Sequence, residues 1–166
     1  MSKPESDGSV TPSLIDRLID KNPSSQVEAP TTRSQSVREI KKALRRDMEW
    51  LLNTRRNPEE RKAEAMPELR ESLYCYGLPD FSSHSIHSTR DRTQLLAELE
   101  RTIALFEPRL SHVRVTQVED PDGPLRMLHF QIEGLLDMDP APERISFDTT
   151  LQLTSGEVKI RGERGA

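Results

Sequence analysis

The chain has 166 residues, a formal net charge of −4, a hydrophobic fraction of 33% and an aromatic fraction of only 4%. This length fits one domain with a tail, and the low apolar content predicts a small core or a segment that stays outside it. The acidic balance argues against a general nucleic-acid-binding protein, because such proteins neutralise phosphates with a basic surplus.

Membrane proteins and disulfide-bonded secreted proteins are also disfavoured. No apolar run approaches the roughly 20 residues that span a bilayer, and the first residues lack the apolar region of a signal peptide. Cys75 is the only cysteine, so an internal disulfide is excluded. A reducing cytosol is therefore the expected compartment.

The N-terminal segment, residues 1–35, is rich in proline, serine and threonine, which predicts a flexible arm. Within it, a short helix is expected near residues 13–20, with Leu14, Ile15 and Leu18 along one stripe. A helix this short is not stable by itself. It either packs on its own domain or docks on a partner, and the sequence leaves both interpretations open.

Two long amphipathic helices are expected in the remaining domain, residues 36–166. The first begins at Ser34 or Ser36, and the second begins at Ser88 or Thr89 and ends before proline. Their apolar stripes, at 3.6-residue spacing, comprise Val37, Ile40, Leu44, Met48 and Leu51 in the first helix and Leu95, Leu96, Leu99, Ile103 and Phe106 in the second. Trp50 lies about 120° from the centre of the first stripe. It either forms a second contact surface or packs under the following loop.

After Arg109 the apolar period changes from 3.6 to 2, which is typical of strands. Alternation recurs over the segments 112–116, 128–133, 145–153 and 158–160, with turn residues at 120–124 and 154–157. The expected fold class is α+β. Two long helices pack on a four-stranded, mainly antiparallel sheet, and the N-terminal arm is flexible.

Catalytic and metal-binding patterns are weak. The four histidines do not follow ligand spacing, so neither a metal nor a cofactor is expected. Cys75 lacks an identifiable base and is expected to be a small buried hydrophobe. The carboxylates of Glu107 and Asp137 or Asp139 could in principle form an acid/base pair, but no aromatic sugar platform accompanies them. We therefore expect a protein that is not an enzyme.

The most distinctive local motif is Glu107-Pro108-Arg109, at the change from helix to strand. If proline holds this connection extended, Glu107 and Arg109 project to the same side. Two interpretations follow. The pair is either a self-satisfied surface ion pair, or a charged clamp that binds a partner through bidentate hydrogen bonds.

Five blocks of the chain, in the expected order, resemble TssE, the family of small baseplate subunits in type VI secretion systems. The blocks are Leu14-Ile15-Asp16-Arg17-Leu18, Asp47-Met48-Glu49-Trp50-Leu51-Leu52-Asn53-Thr54-Arg55, Tyr76-Gly77-Leu78-Pro79-Asp80, Phe106-Glu107-Pro108-Arg109-Leu110 and Thr154-Ser155-Gly156-Glu157-Val158. That family is in turn similar to a wedge subunit of contractile phage tails that was once labelled lysozyme-like.

The resemblance implies structural work in a cytoplasmic, membrane-docked baseplate. The implied neighbours are the subunits TssF and TssG, with TssK further out, and the contractile sheath of TssB and TssC begins to polymerise on this platform. No hydrolase activity, nucleic-acid binding or membrane insertion is implied. The motif of Glu107, Pro108 and Arg109 is associated with contact to the baseplate core, which favours the clamp.

Two further contacts are expected in that setting. An open sheet edge can accept a partner strand, and the strand with Val158 and Ile160 is the candidate edge. The short helix with Leu14, Ile15 and Leu18 would fold onto a neighbouring subunit. A peptidoglycan hydrolase and an unrelated cytosolic adaptor are the alternative functions.

Overall fold

A computed structural model describes residues 13–19, 32–57, 66–81, 88–118, 127–139, 141–152 and 154–163. The elements are α1 (Leu14–Leu18), α2 (Arg33–Asn53), α3 (Pro67–Arg70), a 3₁₀ turn (Leu73–Cys75), α4 (Thr89–Phe106), β1 (Leu110–Gln117), β2 (Met127–Leu136), β3 (Glu143–Gln152) and β4 (Glu157–Glu163). The predicted α+β class is confirmed. The rest of the predicted arm and the turn at 120–124 lie outside the described residues.

Both long helices begin at side chains that cap them. The Thr32 hydroxyl accepts a bond from the Gln35 N–H, and the Gln35 side chain accepts the Thr32 N–H, so α2 starts slightly earlier than predicted. Ser88 caps α4 as expected. The helix ends at Glu107, whose backbone leaves the helical region (φ −120°, ψ 76°) because Pro108 follows.

The sheet is antiparallel with strand order β1-β2-β3-β4, which confirms the predicted four-stranded antiparallel sheet. The alternation predicted for residues 112–116 is confirmed, with Val113 and Val115 buried, but just before it the register of β1 with β2 shifts between Ser111 and Arg114. Ser111 and His112 are both exposed, and His112 has a positive φ of 54°. This bulge inserts one residue, so that Val113 can return to the buried face.

The core lies between one face of the sheet and the apolar stripes of α2 and α4. Its fully buried side chains include Leu44, Met48, Leu99, Ile103, Phe130, Ile132 and Ile145. Each such side chain contributes about 1.5–3 kcal/mol through removal of apolar surface from water. Thr149 and Thr150 of β3 are also buried.

Side chains from the helices bind backbone groups of both outer strands. Asn53 of α2 accepts the Val158 N–H at 2.8 Å and donates to the Val158 carbonyl at 2.8 Å. On the other edge, a carboxylate oxygen of Glu100 in α4 accepts the Val115 N–H at 3.1 Å. Backbone groups that no neighbouring strand could reach are thus satisfied within the fold.

The segment after α3 attaches to the end of α2 through Gly77 and Leu78. The Leu78 N–H donates to the Thr54 carbonyl at 2.8 Å, and the Arg56 N–H donates to the Leu78 carbonyl at 2.8 Å. Gly77 has a φ of 103°, and a Cβ placed there would lie 2.4 Å from the Thr54 carbonyl oxygen. This close backbone approach requires glycine.

We therefore expect Gly77→Ala to lower the free energy of unfolding by about 2 kcal/mol or more, because of backbone strain and the clash with Thr54. Urea denaturation followed by circular dichroism measures the change. Gly162→Ala is the matched control, since its Cβ would meet no atom within 4 Å. Equal stability of the two variants would contradict the requirement for glycine at position 77.

Candidate partner-binding surface

Glu107 and Arg109 form an ion pair that is internal to the fold. Arg109 Nε donates to Glu107 Oε1 at 2.6 Å, and Nη2 donates to Oε2 at 2.6 Å. The connection is a turn rather than the extended segment that was predicted, since the Leu110 N–H donates to the Glu107 carbonyl at 3.0 Å. The side chains still meet, but Glu107 is only 5% exposed and faces Arg109, while Pro108 at the corner is exposed.

The ion pair continues into a row of alternating charges, which we call the charge chain: Glu107, Arg109, Asp47, Arg46 and Asp16. Arg109 Nη2 donates to Asp47 Oδ2 at 2.7 Å. Arg46 Nε donates to Asp47 Oδ1 at 2.8 Å, and its Nη1 donates to Asp16 Oδ1 at 2.9 Å. The charge chain therefore connects the end of α4 through α2 to α1.

The carboxylates of the charge chain raise the pKa values of the two arginines between them. The hydrogen bonds that Arg109 donates to Glu107 raise the pKa of its guanidinium, and Asp47 raises it further. The hydrogen bonds that Arg46 donates to Asp47 and, with a smaller effect, to Asp16 raise the pKa of Arg46 in the same way. Each guanidinium accordingly remains charged between two carboxylates.

The pKa values of Asp16, at the end of the charge chain, and of Tyr76, beside it, are both shifted. The Ser13 hydroxyl donates to Asp16 at 2.6 Å and lowers the pKa of that carboxyl, with Arg46 acting in the same direction against the effect of burial. Burial raises the pKa of Tyr76, and the negative charges of Asp47 and Glu107 add to this shift. Tyr76 also packs edge-on against Phe106, with ring centroids 5.3 Å apart.

Large apolar side chains lie exposed on α1 and on the part of α2 next to Arg46. We call Leu14, Ile15, Leu18 and Trp50 the apolar surface; their exposed fractions are 74%, 67%, 83% and 64%. The Arg46 guanidinium lies 5.4 Å from the centre of the Trp50 ring, a cation–π distance. Of the two interpretations that the sequence left open for Trp50, packing under the following loop is wrong, and the contact surface stays a prediction.

Val158 and Ile160 lie on β4, away from the apolar surface, and their side chains are buried. Their side chains are 2% and 5% exposed and belong to the core. Their backbone N–H groups are already bound by side chains of α2, those of Asn53 and Glu49. Side-chain contact between these two residues and a partner would thus require the core to open.

Sequence reasoning missed the connecting members of the charge chain. Asp16 and Asp47 occur in the sequence analysis only within longer motifs, and Arg46 is not singled out there. The i, i+4 spacing of Arg46 and Trp50 was the one local signal for their contact. The contacts to Asp16 and Arg109 span 30 and 62 residues and had no local signal.

The described residues give little support to the enzymatic alternative. Glu107 directs both carboxylate oxygens at Arg109, so it does not face a substrate cleft. Within the described ranges, no group of three metal-ligating side chains is found, and Cys75 is buried with a free thiol. Two of the four histidines, His84 and His87, lie outside the described residues. Among the helices that the structure describes, none is long and apolar enough to cross a membrane.

A small α+β domain thus carries an exposed apolar surface beside a row of paired charges. The family model of baseplate wedge protein gp25 matches residues 28–141, more than half of the chain. The chain belongs to this family and has a structural role in a phage-tail or related baseplate. This confirms the family resemblance in the sequence. Searches of curated proteins and of solved structures gave no significant match.

We expect Arg109→Gln to lower the free energy of unfolding by about 2–4 kcal/mol, because the buried Glu107 carboxylate and Asp47 lose their guanidinium. In the double variant with Glu107→Gln, part of this loss should be recovered, since no buried charge remains unpaired. Urea denaturation of the three proteins measures both effects. A single variant as stable as the original chain would show that the ion pair is not structural.

We expect the attachment of α1 to depend on the charge of Asp16. Because the folded-state pKa of Asp16 is lowered from 3.8, its contribution is present above that value and is lost as the pH falls through the folded pKa. At neutral pH, Asp16→Asn should speed amide exchange in α1 and change global stability by less than about 1 kcal/mol. Hydrogen exchange measures this. Arg17→Gln, on the exposed side of α1, is the control and should leave exchange unchanged.

Proposed function

We propose that the protein is a TssE-type subunit of a type VI secretion baseplate, where it joins the wedge to the contractile sheath and helps to initiate sheath polymerisation. The five sequence blocks that resemble this family and membership of the gp25 family support the proposal. The observation that carries it is the apolar surface, which is exposed although the charge chain holds it in place.

The apolar surface is the proposed contact with TssF and TssG. Trp and Arg are enriched among the residues that contribute most to the affinity of interfaces, and the exposed aliphatic side chains add apolar area to the contact. Arg46 pairs with Asp16 and lies over Trp50, so it holds both apolar elements near one point of the surface. Preorganisation of this kind lowers the entropy that binding would otherwise cost.

Of the Glu107–Arg109 clamp, only Arg109 contacts the partner in this proposal. Glu107 is buried and fully engaged, so it positions the guanidinium rather than touching a partner. Nη1 of Arg109 has no partner among the described residues, and the side chain is 29% exposed. Its two N–H groups are suited to a carbonyl or carboxylate of the baseplate core. In this arrangement TssK contacts TssF and TssG and does not touch this protein directly.

The sheet is the proposed contact with the sheath. An extended arm of TssB or TssC would add to an outer strand, with backbone hydrogen bonds giving affinity and side-chain pockets setting the register. The subunit would then act in the cytoplasm, within a baseplate that its other components dock at the membrane.

Co-purification with TssF and TssG tests the wedge contact. Trp50→Ala should weaken capture by about tenfold or more, because a central aromatic anchor is removed. The matched control is Leu73→Ala, since Leu73 is 85% exposed on a different element and should bind as the unmodified chain does. Equal losses for both variants would contradict a specific apolar surface. If the unmodified chain captures neither subunit, the type VI assignment is wrong.

Arg109→Glu is a poor probe of this contact. It would place a third carboxylate beside Glu107 and Asp47, and loss of assembly could then follow from loss of folding. Trp50 is 64% exposed and outside the core, so its removal separates binding from stability. Circular dichroism of the isolated Trp50→Ala protein should match that of the original chain.

A further inference from the structure

Helix α2 supplies oxygen acceptors to backbone N–H groups along the first part of β4. Asn53 Oδ1 accepts the Val158 N–H at 2.8 Å, and one helical turn earlier Glu49 Oε1 accepts the Ile160 N–H at 3.1 Å. Four helix residues advance about 6 Å and two strand residues about 6.7 Å, so acceptors and donors stay in step. The chain itself therefore satisfies these two backbone donors.

The match of donors with acceptors ends after Ile160. The next α2 residue on the same side, one turn further towards the N-terminus, is Arg45, and a guanidinium carries only donors. At the same place β4 has a bulge, because Thr149 pairs with Ile160 while Phe147 pairs with Glu163, which gives β4 one residue more than β3. A bulge leaves backbone groups outside the ladder. Donors of the helix and of the strand thus come together here.

A cationic groove opens at this point, with a volume of about 320 Å³. Its described lining residues are Lys41, Lys42, Arg45, Phe147 and Gly162, and none of these five carries a carboxylate. The buried Phe147 contributes an apolar wall. Gly162 leaves the space open, because a Cβ there would meet no atom within 4 Å. The volume lies at the lower end of the range for small-molecule sites, so the groove suits a small ligand.

The positive charge of the groove is only partly neutralised within the described part of the chain. Lys41 pairs with Glu143 at 2.6 Å. The side chains of Lys42 and Arg45 have no hydrogen bond or ion pair with another described residue. Arg45 stands four residues after Lys41, and Arg38 stands four residues before Lys42, so like charges repel along this face of α2. A bound anion would relieve this repulsion, which favours its binding.

We infer that the cationic groove binds the phosphate group of a small ligand that carries at least two negative charges. The Arg45 guanidinium donates to two phosphate oxygens and the Lys42 ammonium to a third, while backbone N–H groups at residues 161–162 complete the site. A tetrahedral phosphate presents oxygens in several directions and reaches donors on α2 and β4 at once, whereas the two oxygens of a carboxylate lie in one plane. This site goes beyond the proposed function and requires neither baseplate nor sheath subunits, so either can fail alone.

Titration with inorganic pyrophosphate at low ionic strength tests the site, followed by calorimetry and by backbone amide signals in NMR spectra. Saturable binding of one pyrophosphate per chain is expected, with the largest signal shifts at residues 41–45 and 161–163. Arg45→Gln should weaken binding by about tenfold or more, because it removes a bidentate charged donor. Arg90→Gln, the same change at an exposed position of α4, should leave the affinity within about twofold. Absence of saturable binding, or equal affinity of the two variants, would overturn the inference.

A pair of variants at Gly162 tests the position of the phosphate. Gly162→Glu would place a carboxylate of the chain itself in the groove and should abolish binding through like-charge repulsion, whereas Gly162→Ala should retain it. Circular dichroism of both proteins is the control for folding. Equal binding by the two folded proteins would locate the pyrophosphate elsewhere on the chain and would contradict the groove.

Two further probes identify the chemistry and the source of the phosphate. Citrate, which carries its negative charge on carboxylates, should bind about tenfold or more weakly than pyrophosphate. Equal affinity would show a general attraction of anions and overturn the phosphate site. Vesicles of phosphatidylglycerol, with phosphatidylcholine vesicles as the control, distinguish a lipid headgroup from a soluble ligand. Sedimentation of the unmodified chain, but not of Arg45→Gln, with the anionic vesicles indicates a headgroup, whereas binding of pyrophosphate alone indicates a soluble ligand.

Discussion

The buried carboxylate of Glu107 is the constraint on which the arrangement of this protein depends. A charge with 5% exposure is stable only beside a fixed opposite charge, and Arg109 provides it two residues later in a tight turn. Nη2 of Arg109, which donates to Glu107, also donates to Asp47 and so attaches the turn to α2. The junction between the helical and strand halves of the chain is thereby held against the longest helix.

Helix α2 divides its surface among three tasks. Its apolar stripe, which includes Leu44 and Met48, forms the core. At about 100° per residue, Asp47 lies on one flank of that stripe and Glu49 on the other. The first flank carries the charge chain and reaches α1, while the second follows β4. Helix α2 thus fixes the position of the apolar surface, on its first flank, relative to the sheet edge at β4, on its second flank.

This division has a consequence for an assembly subunit. A structural protein that joins two partners must hold its two contact surfaces in a fixed relation, and a rigid helix packed in a core does so with little loss of entropy on binding. Open strand edges are also a liability in the free protein, because they pair with other chains. Here Glu100 and Glu49 bind outward N–H groups on the two outer strands.

The sequence by itself determined the fold class, the two long helices, four strands and their apolar faces, because periodicity and capping are local properties. It also placed Trp50 away from the apolar stripe of α2 and singled out Glu107 and Arg109 as neighbours. The bulge at His112 was missed, since a bulge depends on how β1 meets β2. Only the tertiary structure decided that Arg109 binds Asp47, that Arg46 binds Asp16 and that Asn53 closes the edge at Val158. These contacts join residues between 30 and 105 positions apart, and only the packing of the helices on the sheet brings them together.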